Sequence, residues 1–593
     1  MSYNKFKDAL PEDTVTHIKK IYKDLGLSLK YNVEEKVGGI FSATITDTVN
    51  GWTTCGKGTT AAYCQASAFG ESMEHLCSYF AYDTHSLSDD SNQYLGFLRY
   101  PDEEVVSLKD IPTLTPDVYR DMVEAYCRLG KQSPTITDVI SVWEKFLGTT
   151  TTTIVPYYSV RHQKIVYLPD IIIANLCGSN GGGAGNTTAE AIGHALDEIS
   201  ERYVKFQIYN KRLTPPTISR NYIQENCPEL DDLINQIEKK ENFKIIVKDA
   251  SMGRGLTVIS VLLVDQEKHR YLANFGAHPR FEIALERCLT EMFQLYSPEK
   301  QGMKRKGMAK WRNLSDDEFD GIRNWVSLLR DDTGVIPDSF FAGKPSWKFV
   351  PWKQYVEYNN RVGVKEQLHN LLNITNADIY IRNVSFLGFP VYRIYVPGIS
   401  TTYLSLDEQQ LSAFEIGNEL VSRIKQNINE NPTRNELIQL RDSIFSQNSF
   451  VSSLIFRSMS ESMQNAFQAS LFYDLGDKDT AISILSKQDD RYCQCVIRDF
   501  ELAEKGVDIN TRNELLLLFY GKDETDFVAC WQTANVFLNL LQKYVIKKSF
   551  NLHGNASKDL SKTSCLHERI KLMMTKNIPD QMEIATLTNW QAV

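Results

Sequence analysis

Three stretches of this chain, each long enough for a helix, place glutamates at helical spacing inside otherwise apolar sequence. YCQASAFGESMEH carries Ser67, Glu71 and Glu74; NTTAEAIGHALDEISERY carries Asn186, Glu190, Glu198, Glu201 and Arg202; FEIALERCLTEMFQ carries Arg287, Glu291 and Gln294. At about 100° per residue, Glu198 lies about 80° around its helix from Glu190 and Glu201 only about 20° from it, so the three share one face. Glu71 and Glu74 are neighbours on one side, and Glu291 and Gln294 repeat that spacing. Carboxylates on helices that must also pack on a sheet are costly unless cations meet them or protons neutralise them. Mg²⁺ suits such a set, because it takes carboxylate oxygens together with phosphates. The interleaved Arg202 and Arg287 suit phosphate oxygens directly. Singly, each acid has an ordinary explanation: Thr187-x-x-Glu190 fits a capping box, and Glu198, Glu201 and Arg202 fit a solvated face. Repetition on three helices weighs against that.

The flanking sequence fits an α/β class, with mixed sheets carrying packed helices. Residues 13–26 have the spacing of an amphipathic helix, and FSATITDT (41–48), TTTTIVPYYSV, KIVYLP, KIIVKDAS (244–251), TVISVLLV (257–264), YLANFGAHP (271–279) and PVYRIYVPGIS (390–400) read as strands. A loop-rich, proline-containing stretch is expected from about 80 to 150. Beyond about 405 only helix-length segments follow, and AFQASLFYDLGDKDTAISIL resembles a tetratricopeptide hairpin. The expected division is a core over 1–404 and a helical, tetratricopeptide-like domain over 405–593.

Two glycine-rich segments invite a phosphate-loop reading. Gly51–Gly58 has glycine where the hydroxyl of a P-loop belongs, and GSNGGGAGN (178–186) has no lysine. Both precede helices, so they serve either as anion-facing turns or as tight strand-to-helix connections. The net charge of −9 over 593 residues argues against a general nucleic-acid binder. Eleven scattered cysteines point to a reducing compartment. Cys493-Gln-Cys495 is too short for a structural zinc site and reads as packing thiols. MSYNKFKDAL has no apolar signal core, and no apolar run reaches the ~20 residues of a membrane span, so a cytoplasmic protein is expected.

KGTTAAYCQASAFGESMEH, GNTTAEAIGHALDEISERY and FGAHPRFEIALERCLTEMFQ resemble, in this order, the three ATP motifs of the YcaO family; SNGGGAGNT and VPGIS are family-like too. The resemblance runs over about residues 1–405, and the helical tail resembles that of the full-length, tailed branch. It implies ATP held between helices by a carboxylate cage through Mg²⁺. Carried over residue by residue, it assigns Ser67, Glu71, Glu74, Asn186, Glu190, Glu198, Glu201, Arg202, Arg287, Glu291 and Gln294 to the site. Of these, Glu71, Glu74, Glu190, Glu198, Glu201 and Glu291 would face metal. KDALPEDT resembles the segment that gives a lysine and a hydroxyl to the nucleotide, here Lys7 and Thr14. The first motif departs from the family where Glu-Arg becomes Glu74-His75, and a histidine is no permanent cation.

The resemblance implies ATP-dependent activation of a backbone amide. The chain ends TLTNWQAV, without the proline-rich tail of many cyclodehydratases, which makes azoline formation the less expected outcome. For the tailed branch, it implies an accessory role in β-methylthiolation of the twelfth protein of the small ribosomal subunit, beside the radical-SAM enzyme RimO, and a homodimer. No CxxxCxxC motif is present for the radical step itself. The basic segment 300–312 is a solvated loop or a contact for a ribosomal or peptide partner. His278 is a candidate base, or simply a buried hydrogen-bonded histidine. Two other functions stay open: a peptide-modifying enzyme forming a thioamide or azoline, and a non-enzymatic scaffold stabilised by ATP.

Overall fold

The computed structural model describes residues 7–47, 53–78, 100–127, 134–293, 308–401, 431–445, 461–540, Lys543 and 569–588, apart from 148, 242, 489 and most of 313–333. Among the described residues three antiparallel sheets organise the core. Leu29–Glu35, Phe41–Asp47 and Thr53–Gly58 form one. Phe243–Asp249, Val258–Asp265 and Arg270–Ala277 form a second, with the short Ala309–Lys310 at its edge. The third has six strands; Val391–Tyr395 lies in it between Tyr380–Asn383 and Gly182–Ala184.

The three acid-bearing stretches are helices packed on these sheets. Helix α1 (Pro11–Leu25) opens with proline in its first turn and stops at Gly26, which takes φ 75°. It packs on α2 (Ala61–Cys77) through Val15, Ile18 and Tyr22 in a cluster that includes Phe69 and Met73. Helix α3 (Thr188–Asn210) spans two sheets. Ala191, Ile192 and Ala195 pack with Ile394 of the six-stranded sheet and with Val396 just beyond that strand, whereas Val204 and Ile208 pack with Leu262 and Phe275 of the four-stranded one. Helix α4 (Phe281–Phe293) lays Ala284, Leu285 and Leu289 on Val261 and Leu263. Helix α5 (Asn360–Ile374) covers α3 through Val364, Leu368 and Leu371.

Within the glycine-rich segments, Thr53–Gly58 and Gly182–Ala184 are strands that let helices approach. A Cβ on Gly56 would stand 2.3 Å from the backbone nitrogen of Ala68 on α2, and one on Gly183 would stand 2.3 Å from the carbonyl oxygen of Ala191 and 2.7 Å from the nitrogen of Ala195 on α3. Backbone cannot yield as a side-chain tip does, so the helix would have to lift off its strand. Gly183→Ala is expected to destabilise the protein by about 1–3 kcal/mol, read as a lower midpoint in thermal or urea unfolding. An unchanged midpoint would mean that strand and helix have slack.

Two expectations are corrected. Of the stretch expected to be loop-rich, the described residues 100–127 and 134–147 are not: they hold the strand Glu104–Ser107 and the helices Pro116–Cys127 and Ile136–Leu147, and the rest of 80–147 lies outside the described residues. Pro112 and Pro116 sit at helix starts, where a missing N–H costs nothing. DFVACWQTANVFLNLLQKYV is not one helix: Lys522–Trp531 ends before Val536–Leu540, with Asn535 between them at φ 70°.

The helices between Arg434 and Leu540 share a separate core that includes Phe467, Trp531 and Phe537. Glu461–Asp474 and Lys478–Leu485 form a hairpin across Gly476. Cys493 and Cys495 are buried thiols in that core and form no disulfide. The 402–430 stretch, which includes the expected boundary near 404 and the segment LDEQQLSAFEIGNELVSRI, lies outside the described residues. Residues 569–588 pack on the sheets instead: Ile570 and Met574 join the cluster of α1 and α2, and Ile584 and Leu587 join that of α3. Among the described residues no helix is long and apolar enough to cross a membrane.

Candidate functional site

With their apolar faces on the sheets, α2, α3 and α4 turn the opposite faces to a common cavity of about 520 Å³. Helix α2 lines it with Ser67, Glu71 and Glu74. Helix α3 contributes Glu190, Glu198, Glu201 and Arg202, preceded by Asn186, and α4 contributes Arg287 and Glu291. Lys7 and Thr14 close it from the N-terminal side. Gln294 and most of the basic segment 300–312 lie outside the described residues.

The acids are not equivalent. Glu190 receives Lys7 Nζ at 3.0 Å, the Asp8 N–H at 3.1 Å and Asn186 Nδ2 at 3.1 Å. Thr14 Oγ1 donates to Asn186 Oδ1 at 2.8 Å. Burial opposes the charge on Glu190, but Lys7 and these donors outweigh it and hold its pKa below the usual value. Thr187 does accept the Glu190 N–H as a helix cap, yet the Glu190 carboxylate turns to Lys7, Asp8 and Asn186 rather than back to the cap.

For the other acids the compensation falls short of the cost of burial. Burial pushes Glu71 up to about 7 against the pull of Lys57, and Glu201 up to about 7 against Lys57, Arg202 and Lys205. Glu74 is raised well above the ordinary carboxylate range by burial, then by Glu198 and Glu71 beside it. Glu198 pairs with Arg202 at 2.5 Å and accepts the Gly181 N–H at 3.3 Å. Glu291 pairs with Lys57. Among the described residues no three His, Cys, Asp or Glu side chains form a ready-made metal site; the carboxylates engage these basic side chains instead.

A family model described as YcaO cyclodehydratase, ATP- and Mg²⁺-binding, matches residues 55–400, more than half of the chain. The chain belongs to the YcaO family. An uncharacterized protein of Haemophilus influenzae is 30% identical over 410 residues, covering 67% of this chain and 66% of its own length, just under two thirds. The ribosomal protein S12 methylthiotransferase accessory factor YcaO of Escherichia coli is 29% identical over 415 residues, covering 68% of this chain and 67% of its own. Among solved structures, a heterocyclase in complex with substrate and cofactor overlays with a TM-score of 0.45 at 16% identity, over 69% of this chain and 55% of that one. YcaO from Methanopyrus kandleri bound with AMPPCP and Mg²⁺ gives 0.40 at 17%, over 67% and 94%.

The YcaO cavity of this chain has the electrostatics that ATP with Mg²⁺ requires. Glu71, Glu74, Glu190, Asp197, Glu198, Glu201, Glu286 and Glu291 line it, against the basic side chains of Lys7, Lys57, Arg202 and Arg287. A triphosphate entering this excess of like charge would be repelled. Divalent cations reverse that, and they satisfy carboxylates that otherwise hold protons near neutral pH.

Several lining residues escaped the sequence reading. Lys57 stands in the segment that departs from a phosphate loop, yet strand alternation opposes it to Gly56 and Gly58, which face α2. Burial lowers its pKa while Glu71 and Glu201 support its charge. Asp197 lies seven residues after Glu190, about 20° around the same helix, so its place was legible from spacing. Tyr358 and Gln367 come from a segment without acids at that spacing, and nothing local marked them. His278 is buried, accepts the Arg280 N–H at 3.0 Å on Nδ1, and also lines the cavity. Burial, with Arg287 and Lys7 nearby, holds His278 and His194 well below the usual imidazole value. Burial lowers His75 to about 4, so position 75 supplies no cation at neutral pH.

Proposed function

We propose that this chain binds ATP through Mg²⁺ in the cavity between α2, α3 and α4 and uses the γ-phosphoryl group to activate an amide of a protein substrate. The cellular role we assign is that of accessory factor in β-methylthiolation of the twelfth small-subunit ribosomal protein, beside RimO. The observation that carries the ATP reading is the cavity itself, where acids from three helices outnumber the basic side chains. Similarity to the Escherichia coli accessory factor supports the cellular role.

In this reading Glu71, Glu74, Glu198, Glu201 and Glu291 hold Mg²⁺, which neutralises charge that builds on the phosphates. Glu190 keeps Lys7 and Asn186 in place for the nucleotide, and Arg202 and Arg287 meet phosphate oxygens. A nucleophile adds to the amide carbon, the carbonyl oxygen takes the γ-phosphoryl group as ADP leaves, and phosphate departs from carbon. The chain's contribution is position and electrostatic stabilisation.

Mass spectrometry of ribosomal proteins from cells with and without this protein tests the role. The methylthio modification of the twelfth small-subunit protein is expected to fall when the protein is absent, and an unchanged modification overturns the assignment. The cyclodehydratase description of the family favours a second reading, azoline formation on a peptide. Its signature is the loss of one water from that peptide with consumption of ATP.

A further inference from the structure

Arg287 is gripped from behind. Its Nη1 donates to Asp197 Oδ2 at 2.5 Å and to the Ala277 carbonyl at 3.0 Å. A guanidinium carries five N–H donors, two of them on Nη1. Among the described residues both bonds of Arg287 use that nitrogen, which leaves the Nη2 and Nε edge for a ligand. This is the edge that meets two oxygens of a phosphate at once.

The grip has a second layer. The other oxygen of Asp197 accepts from Gln367 Nε2, reaching over from α5. The same Nε2 lies 3.4 Å from the Gly193 carbonyl of α3. Asp197 and Gln367 are both buried, whereas the Arg287 side chain is 28% exposed into the cavity. Asp197 therefore has one oxygen for Arg287 and one for Gln367, and its rotamer is fixed from both sides. An arginine left to itself among Glu198, Glu201 and Glu291 would have other carboxylates to swing toward.

We propose that Asp197 and Gln367 are positioning residues that aim the free edge of Arg287 at the phosphates of the nucleotide, an inference that rests on the ATP-site reading above. Asp197 is a clamp, not a cation ligand, although it shares a helix face with Glu190 and Glu201.

A double-mutant cycle on the full chain tests this, with MgATP binding read by calorimetry and folding checked by circular dichroism. Wild type must bind MgATP; if it does not, the ATP-site reading fails first and takes the clamp with it. Given wild-type binding, D197N is expected to weaken MgATP about tenfold and R287Q at least as much, while D197N/R287Q binds no more weakly than R287Q alone. A merely structural role would give losses that multiply. Q367A leaves the ion pair in place and is expected to weaken MgATP by a smaller factor, again only when Arg287 is present; it carries the test should D197N fail to fold. Unchanged MgATP affinity in folded D197N, or in folded Q367A where D197N does not fold, overturns the proposal, as do multiplicative losses in the double variant.

Discussion

At pH 8 and without ligand, Glu201→Gln is expected to melt higher than the unmodified protein, by about 2 °C or more. Its affinity for MgATP is expected to fall about 100-fold. The two effects have opposite signs for one reason. Burial raises the Glu201 pKa to about 7, so at pH 8 the folded state carries a charge that its surroundings disfavour. The unfolded chain carries the same charge in water without that penalty. Glutamine removes the penalty and keeps the shape, but it also removes an anionic oxygen that a divalent cation would use. Scanning calorimetry measures the first effect and titration calorimetry the second. A variant that loses stability and keeps binding would show that Glu201 is structural and that its place in the cavity is incidental.

The second large effect is proton release. Glu71, Glu201 and Asp197 all sit near 7, raised by burial from ordinary carboxylate values. For a raised acid, the folded state holds protons that the unfolded state has already lost. The stability this gives is complete below the unfolded value and disappears as pH rises through about 7. Magnesium needs the ionised oxygens of Glu71 and Glu201, so binding at pH 6.5 must expel protons. MgATP affinity is expected to climb with pH through 7 and to level off above about 8. The heat of binding at pH 6.5 is expected to depend on the ionisation enthalpy of the buffer. The rise in melting temperature on adding MgATP is expected to be larger at pH 8 than at pH 6. Binding that is blind to buffer and pH would mean that these acids do not meet the cations.

Much of the site was legible because helices have a fixed period. Glu190, Glu198 and Glu201 share a phase that any straight α-helix must present on one side, and the structure brings all three to the cavity. The same arithmetic places Asp197, about 20° from Glu190, on that face. Strand alternation would likewise have placed Lys57, had the surrounding glycines not suggested a phosphate loop. Those glycines act through the space they leave for α2 and α3, and space between two elements is not written in either one alone. The helix at Pro116–Cys127 was missed because proline at a helix start looks, in sequence, like proline in a loop.

By itself the sequence determined which side chains each helix offers and on which face, because local periodicity depends only on the backbone's own geometry. Tertiary structure decided which faces meet. It set α2, α3 and α4 around one cavity, brought Gln367 to Asp197 from 170 residues away, and returned residues 569–588 to the core. It also decided the charge states. A carboxylate's pKa depends on the cations and the water it keeps after packing, so Glu190, held by Lys7, Asp8 and Asn186, and Glu71, less fully compensated by Lys57, end on opposite sides of the same reference value.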